Sequence, residues 1–179
     1  MRYFITLLVL LLTFISVTPA VSETKEFTEF YQRYLKLSYG APKNLDFITW
    51  LYHVKHTSLK HGIDPNKTLA VLETESSKNG RLLTFGPINR SGRFVGPGGL
   101  FKGCGNWEWQ QRILDPYFNT NVSIKAMTRY KDFTKSMRKY NASYNSAYMR
   151  RIKQLEHMNR SAKIFDNIEL ARVYNSKYK

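Results

Sequence analysis

Glu75 is the residue in this chain best suited to acid–base chemistry, because it is a carboxylate set among side chains that leave it little water. It lies in Asp64-Pro65-Asn66-Lys67-Thr68-Leu69-Ala70-Val71-Leu72-Glu73-Thr74-Glu75-Ser76-Ser77-Lys78-Asn79-Gly80. Asp64 can cap the first free amides of a helix, Pro65 suits its first position, and Gly80 stands where a left-handed residue would end it. Leu69, Ala70, Val71 and Leu72 point in every direction around one turn. The spacing therefore predicts a short buried helix with no wet face. At about 100° per residue, Glu75 projects between Val71 and Leu72, so desolvation should favour its protonated form and make it a general acid. Glu73 is the local rival. It is turned by about 200° from Glu75, so the two cannot enter one cleft from the same face. The bland reading of Glu73 is an ion pair, and Glu108 is a weaker candidate than either.

Other chemistry-bearing residues give less. His53, His56 and His61 fall in one predicted helix with no acidic or cysteine ligand at a standard spacing, and no metal or cofactor is assigned. Cys104 is the one cysteine, which excludes an internal disulfide. Gly96-Pro97-Gly98-Gly99-Leu100-Phe101-Lys102-Gly103 has too little side chain for a regular element, and it lacks the Lys-Ser/Thr ending of a phosphate loop. Asn106-Trp107-Glu108-Trp109 would place two indoles on one side of an extended segment, to fill the core or to stack on sugar faces.

The elements that must position these residues are mostly helical. Phe27, Phe30, Tyr31, Tyr34 and Leu35 mark a first amphipathic helix over Thr24 to Leu37. A second is capped by Asn44, buries Phe47, Ile48, Leu51, Val54 and Leu59, and stops at Gly62. The residues Leu82 to Ile88 and Arg93 to Val95 flank Asn89-Arg90-Ser91-Gly92 as a small hairpin. Asp115-Pro116 opens a long basic helix facing inward through Val122, Ala126, Tyr130, Phe133 and Met137, until Tyr140-Asn141-Ala142 interrupts it. Helices beginning near Tyr148 and spanning Ile164 to Tyr174 complete one mainly α domain with a minor β element.

Length and composition fit that reading. The chain has 179 residues, 42% of them hydrophobic, which is enough for one real core. Met1-Arg2 precedes an apolar run from Tyr3 to Val17, and Ala20-Val21-Ser22 matches a small-x-small cleavage rule, so residues 1–22 read as a signal peptide and 23–179 as the exported domain. Losing Arg2 alone lowers the formal charge from +15 to +14. On an exported chain such a charge suits an anionic wall or lipid surface better than nucleic acid, for which no recognition motif is present.

Taken in order, Glu75-Ser76, Gly99-Leu100-Phe101, Asp115-Pro116, Tyr140-Asn141-Ala142 and Tyr148 to Ile152 resemble the lytic transglycosylase domain of the lysozyme-like superfamily, over about Leu45 to Leu155. In that family a Glu-Ser pair ends a buried helix, a glycine loop ending in Leu-Met-Gln follows, Asp-Pro opens a helix, and Ala-Tyr-Asn-Ala-Gly precedes a Tyr-containing helix. Here Phe101 and Lys102 replace the Met and Gln, Lys139 the first Ala, and Ser143 the Gly. The resemblance implies a lysozyme-like fold and a monomeric, cofactor-free enzyme that cleaves the β-1,4 bond between N-acetylmuramic acid and N-acetylglucosamine. It also implies Glu75 as acid/base and Ser76, Gly99, Leu100, Tyr140 and Asn141 as substrate-binding residues. Location would be periplasmic or secreted. By analogy with small enzymes of this kind, the partner could be an envelope-spanning secretion apparatus. A hydrolytic lysozyme on the same fold, and a non-catalytic basic protein that binds glycan or membrane, are the competing readings.

Overall fold

The computed structural model describes residues 38–39, 45–77, 83–87, 91–141 and 144–168, and these are mainly helical with a small two-stranded antiparallel sheet. The expected signal segment, the helix over Thr24 to Leu37, Asn44, Gly80 and Ala142 lie outside the described residues. Strand β1 (Ser38–Tyr39) pairs in parallel with β2 (Leu83–Thr84), Ser38 opposite Leu83. Strand β3 (Phe94–Val95) pairs antiparallel with β4 (Leu100–Phe101), Val95 opposite Leu100. The helices are α1 (Phe47–Lys60), α2 (Pro65–Ser76), α3 (Trp107–Arg112), α4 (Pro116–Met127), α5 (Phe133–Tyr140) and α6 (Ser146–Ser161), with a 3-10 turn at Lys102–Cys104. Residues 164–168 are again helical. Among the described residues no helix is long and apolar enough to cross a membrane.

Helix α2 is the axis of the molecule. Asp64 caps it by accepting from the Asn66 amide at 2.8 Å, and Pro65 holds its first position, as the sequence predicts. Thr68, Leu69, Ala70, Val71, Leu72, Glu73 and Ser76 are all buried on it, so it has neighbours on every side. Its most extensive packing is against α6, followed by α1. Phe47, Trp50 and Phe85 close one end of the core, with Trp50 and Phe85 meeting edge-on at 5.0 Å. The buried Trp50 indole satisfies its N–H on Thr120 Oγ1 at 3.1 Å, which ties α1 to α4.

Several expectations change. The cap of α1 is Asp46, whose carboxylate accepts from the Ile48 and Thr49 amides, and Leu59 is 57% exposed because it lies off the stripe of Leu51 and Val54. Helix α2 ends in an extended Ser77 with no need of a left-handed residue. A hairpin turns through Gly96 to Gly99, where φ is 74° and 59° at the two glycines, and of the expected pairing across Asn89 to Gly92 the described residues contribute the antiparallel bridge between Pro87 and Val95, while Leu82 and residues 88–90 lie outside them. The long basic helix is two helices. Asp132 accepts from the Lys135 amide at 3.1 Å and starts α5 afresh, and α4 buries Pro116, Asn119, Thr120, Ser123, Ile124 and Met127, with Val122 and Ala126 only half-buried. Asn106 likewise caps a helix over Trp107 and Trp109, so the pair is not extended. Trp107 is 74% exposed and fills no core, while half-buried Trp109 aims its indole N–H at the Phe101 carbonyl.

Candidate active site

The last turn of α2 meets three other parts of the chain at Glu75. Asn141, which ends α5, donates its amide Nδ2 to Glu75 Oε1 at 2.9 Å. Tyr148, in the first turn of α6, donates its phenol to the same oxygen. Asn145 fixes that turn by accepting from the Tyr148 amide at 2.9 Å. Both donors therefore converge on Oε1, which leaves Oε2 as the oxygen able to carry a proton. Burial raises the Glu75 pKa above the ordinary carboxyl value of 4.5, and the bonds from Tyr148 and then Asn141 oppose that rise. Among the described residues no Lys or Arg forms an ion pair with it.

The glycine loop supplies the third wall. Gly99 is left-handed, and a Cβ there would stand 3.2 Å from the Glu75 carbonyl and 3.5 Å from Oε2. Gly98 is tighter still, since a Cβ would overlap Ser123 Oγ at 1.7 Å. The Tyr140 phenol donates to the Gly98 carbonyl, and the Gly98 amide donates to Asn119 Oδ1 at 2.8 Å. The Asn119 amide in turn donates to the Val95 carbonyl at 3.0 Å and the Ile113 carbonyl at 2.9 Å. Burial first, and the Glu75 charge second, push the Tyr140 and Tyr148 phenols well above their ordinary pKa, so both stay protonated as donors.

Glu75, Gly99, Tyr140 and Asn141 are thus brought together, with Leu100 half-buried at the start of β4 beside them. Ser76 is turned away. It is wholly buried, donates to the Leu72 carbonyl at 2.7 Å and accepts from the Thr84 amide at 3.3 Å, so its hydroxyl joins α2 to β2. Burial does not single out Glu75, contrary to the expectation from spacing, because Glu73 is deeper, at 2% exposure, whereas Glu75 is half-buried. Asn159 of α6 covers Glu73 and donates to its Oε2 at 3.1 Å. What distinguishes Glu75 is its pair of donors and its partial exposure. Glu108 is exposed on α3 and pairs with Arg112 at 3.6 Å.

The histidines are apart from this site. His53 shares a hydrogen bond with Asn121 at 2.9 Å, and the His56 ring lies 4.0 Å from that of Tyr52. No three His, Cys, Asp or Glu side chains gather as a metal site among the described residues.

Asn119 and Ser123 are parts of the site that the sequence does not single out, whereas Tyr148 opens the motif from Tyr148 to Ile152 but takes no role of its own from it. The available signal for the first two was two polar residues one turn apart on the same helix as Ile124 and Met127. Tyr148 also lines a groove of about 560 Å³ that includes Thr74, the residue before Glu75.

Compared with family models, curated proteins and solved structures, the chain finds no match.

Proposed function

We propose that this chain is an exported peptidoglycan lytic transglycosylase with a lysozyme-like fold, in which Glu75 is the single acid/base. The observation that carries the reading is the carboxyl of Glu75, desolvated and held at one oxygen by Asn141 and Tyr148 while the other is left for a substrate. A carboxyl that keeps its proton to a higher pH than an ordinary one suits a glycosidic oxygen that needs protonation as its bond breaks.

Glycosidases that hold a nucleophile or activate a water use two carboxylates across the bond. Among the described residues, Asp166 is exposed and follows Phe165, whose carbonyl accepts from Lys55 of α1, and the other carboxylates besides Glu75 are engaged. Glu73 is bonded to Asn159, Glu108 and Glu156 pair with arginines, and Asp46, Asp64, Asp115 and Asp132 cap helices. One acid suffices if the substrate supplies its own nucleophile. Glu75 gives its proton to the bridging oxygen, which leaves as the 4-hydroxyl of N-acetylglucosamine. The resulting carboxylate then takes the proton of the muramyl 6-hydroxyl, whose oxygen bonds to C1 and closes a 1,6-anhydro ring. The proton count balances and no water enters.

Digesting purified sacculi with the chain and weighing the fragments tests this. Anhydro-muropeptides are expected, and products heavier by one water would identify a hydrolase instead. Tyr148→Phe supplies a second check. Losing the phenol removes a bond that favours the ionised form, so the alkaline limb of kcat/KM should move to higher pH and the rate should fall about tenfold. An unshifted limb would separate Tyr148 from the chemistry.

A further inference from the structure

Beside Glu75 lies a groove that bond cleavage does not use. It measures about 560 Å³ and is lined by Thr74, Asn145, Tyr148, Arg150, Arg151 and Gln154, among others. It joins the active site through the backbone at Thr74 and through the Tyr148 phenol, which reaches Glu75 Oε1. Arg151 is held in place, since its Nη2 donates to Ser77 Oγ at 2.7 Å, at the residue that ends α2. Arg150 precedes it on α6 and is exposed. No Asp or Glu lines the groove. A neighbouring depression of about 380 Å³ shares Asn145 and adds Arg138, again without an acidic residue in its lining.

Two guanidinium groups facing a cleft without a counter-charge concentrate positive potential there. Their flat, forked donors match carboxylates, whereas a neutral sugar ring uses neither their charge nor their fork. The strand cleaved in the proposed reaction is a neutral glycan whose muramyl residues carry short peptides ending in carboxylates. We propose that this groove binds the carboxylates of the peptide stem on the strand cut at Glu75, an assignment that rests on the transglycosylase reading.

Binding is measured on the mature chain carrying Glu75→Gln, so that no turnover occurs, with three soluble probes. These are a stem-bearing disaccharide repeat, the same glycan stripped of its stem, and a neutral chitooligosaccharide of equal length. Arg150→Gln with Arg151→Gln should weaken the stem-bearing probe about fivefold and leave the chitooligosaccharide unchanged, as expected for exposed ion pairs. Arg150→Lys with Arg151→Lys should recover part of the loss, and added salt should erase the difference. Equal weakening of the neutral probe, or no change with the stem-bearing one, overturns the proposal. Arginine dependence that is just as strong with stripped glycan moves the contact to the lactyl carboxylate and also overturns the stem assignment. Digestion of sacculi by the parent chain is scored separately. Arginine-dependent stem binding without cleavage would sink the lyase and leave the groove standing.

Discussion

Glu75→Gln should lower glycan cleavage by at least about a hundredfold while the chain still folds, which is the low end of what a positioned general acid contributes. The amide oxygen can accept from Asn141 and Tyr148 as Oε1 does, so the wall of the site survives and only the transferable proton is lost. The same replacement should change stability in a pH-dependent way. Because burial raises the pKa of Glu75 in the native state, the native chain holds a proton that the unfolded chain has already released over the window above 4.5. The stability linked to that proton is complete below 4.5 and is lost as pH rises through the native pKa. An amide has no proton to lose. The variant should therefore melt close to the parent in acid and above it at neutral pH, and a lower melting temperature at neutral pH would contradict the assigned burial. Full lytic activity in the variant would remove Glu75 from the mechanism.

The second large effect is expected at Asn119, which the proposed proton transfers do not use. Its side chain holds the Gly98 amide and the Val95 and Ile113 carbonyls, so one residue of α4 fixes the glycine loop and the approach to α4 together. Asn119→Leu keeps the bulk and leaves three buried backbone groups without these partners. At 1–3 kcal/mol for each, with part recovered by relaxation, the loss should be about 3–5 kcal/mol, or a fall in Tm of about 10 °C. Gly99 would be freed from Glu75 as well, so activity should fall even below the melting transition. A loss under about 1 kcal/mol in thermal unfolding would show that the loop is held elsewhere.

Local chemistry in the sequence carried much of this arrangement. Asp64-Pro65 and Asp115-Pro116 each combine a cap with a residue whose missing N–H costs nothing at the first helical position, and both open helices. The all-round apolar turn of α2 announced its central place. Where the reading strayed, short polar residues were the reason. Asp132 and Asn106 look like ordinary surface residues in a periodic pattern, yet each captures a backbone amide and restarts a helix, which divided the long basic helix and coiled the tryptophan segment. The second turn escaped notice because two left-handed glycines, Gly96 and Gly99, fold β3 back on β4 within a stretch that has too little side chain to show a strand pattern. At the site, Glu75, Gly99, Tyr140 and Asn141 were legible as types in order. The depth of Glu73 depends on α6, which comes from more than seventy residues away along the chain, and the inward hydroxyl of Ser76 on its bond from the Thr84 amide of β2.

The double grip on Oε1 has a practical outcome. A carboxyl with one occupied oxygen serves its guests singly, so in the proposed reaction the departing sugar would have to vacate Oε2 before the 6-hydroxyl could arrive. In the Gln replacement the amide nitrogen would occupy that same berth and offer a hydrogen it never surrenders. An inert chain of this sort should stay seated on its polymer, making it a reagent for capturing the uncut strand.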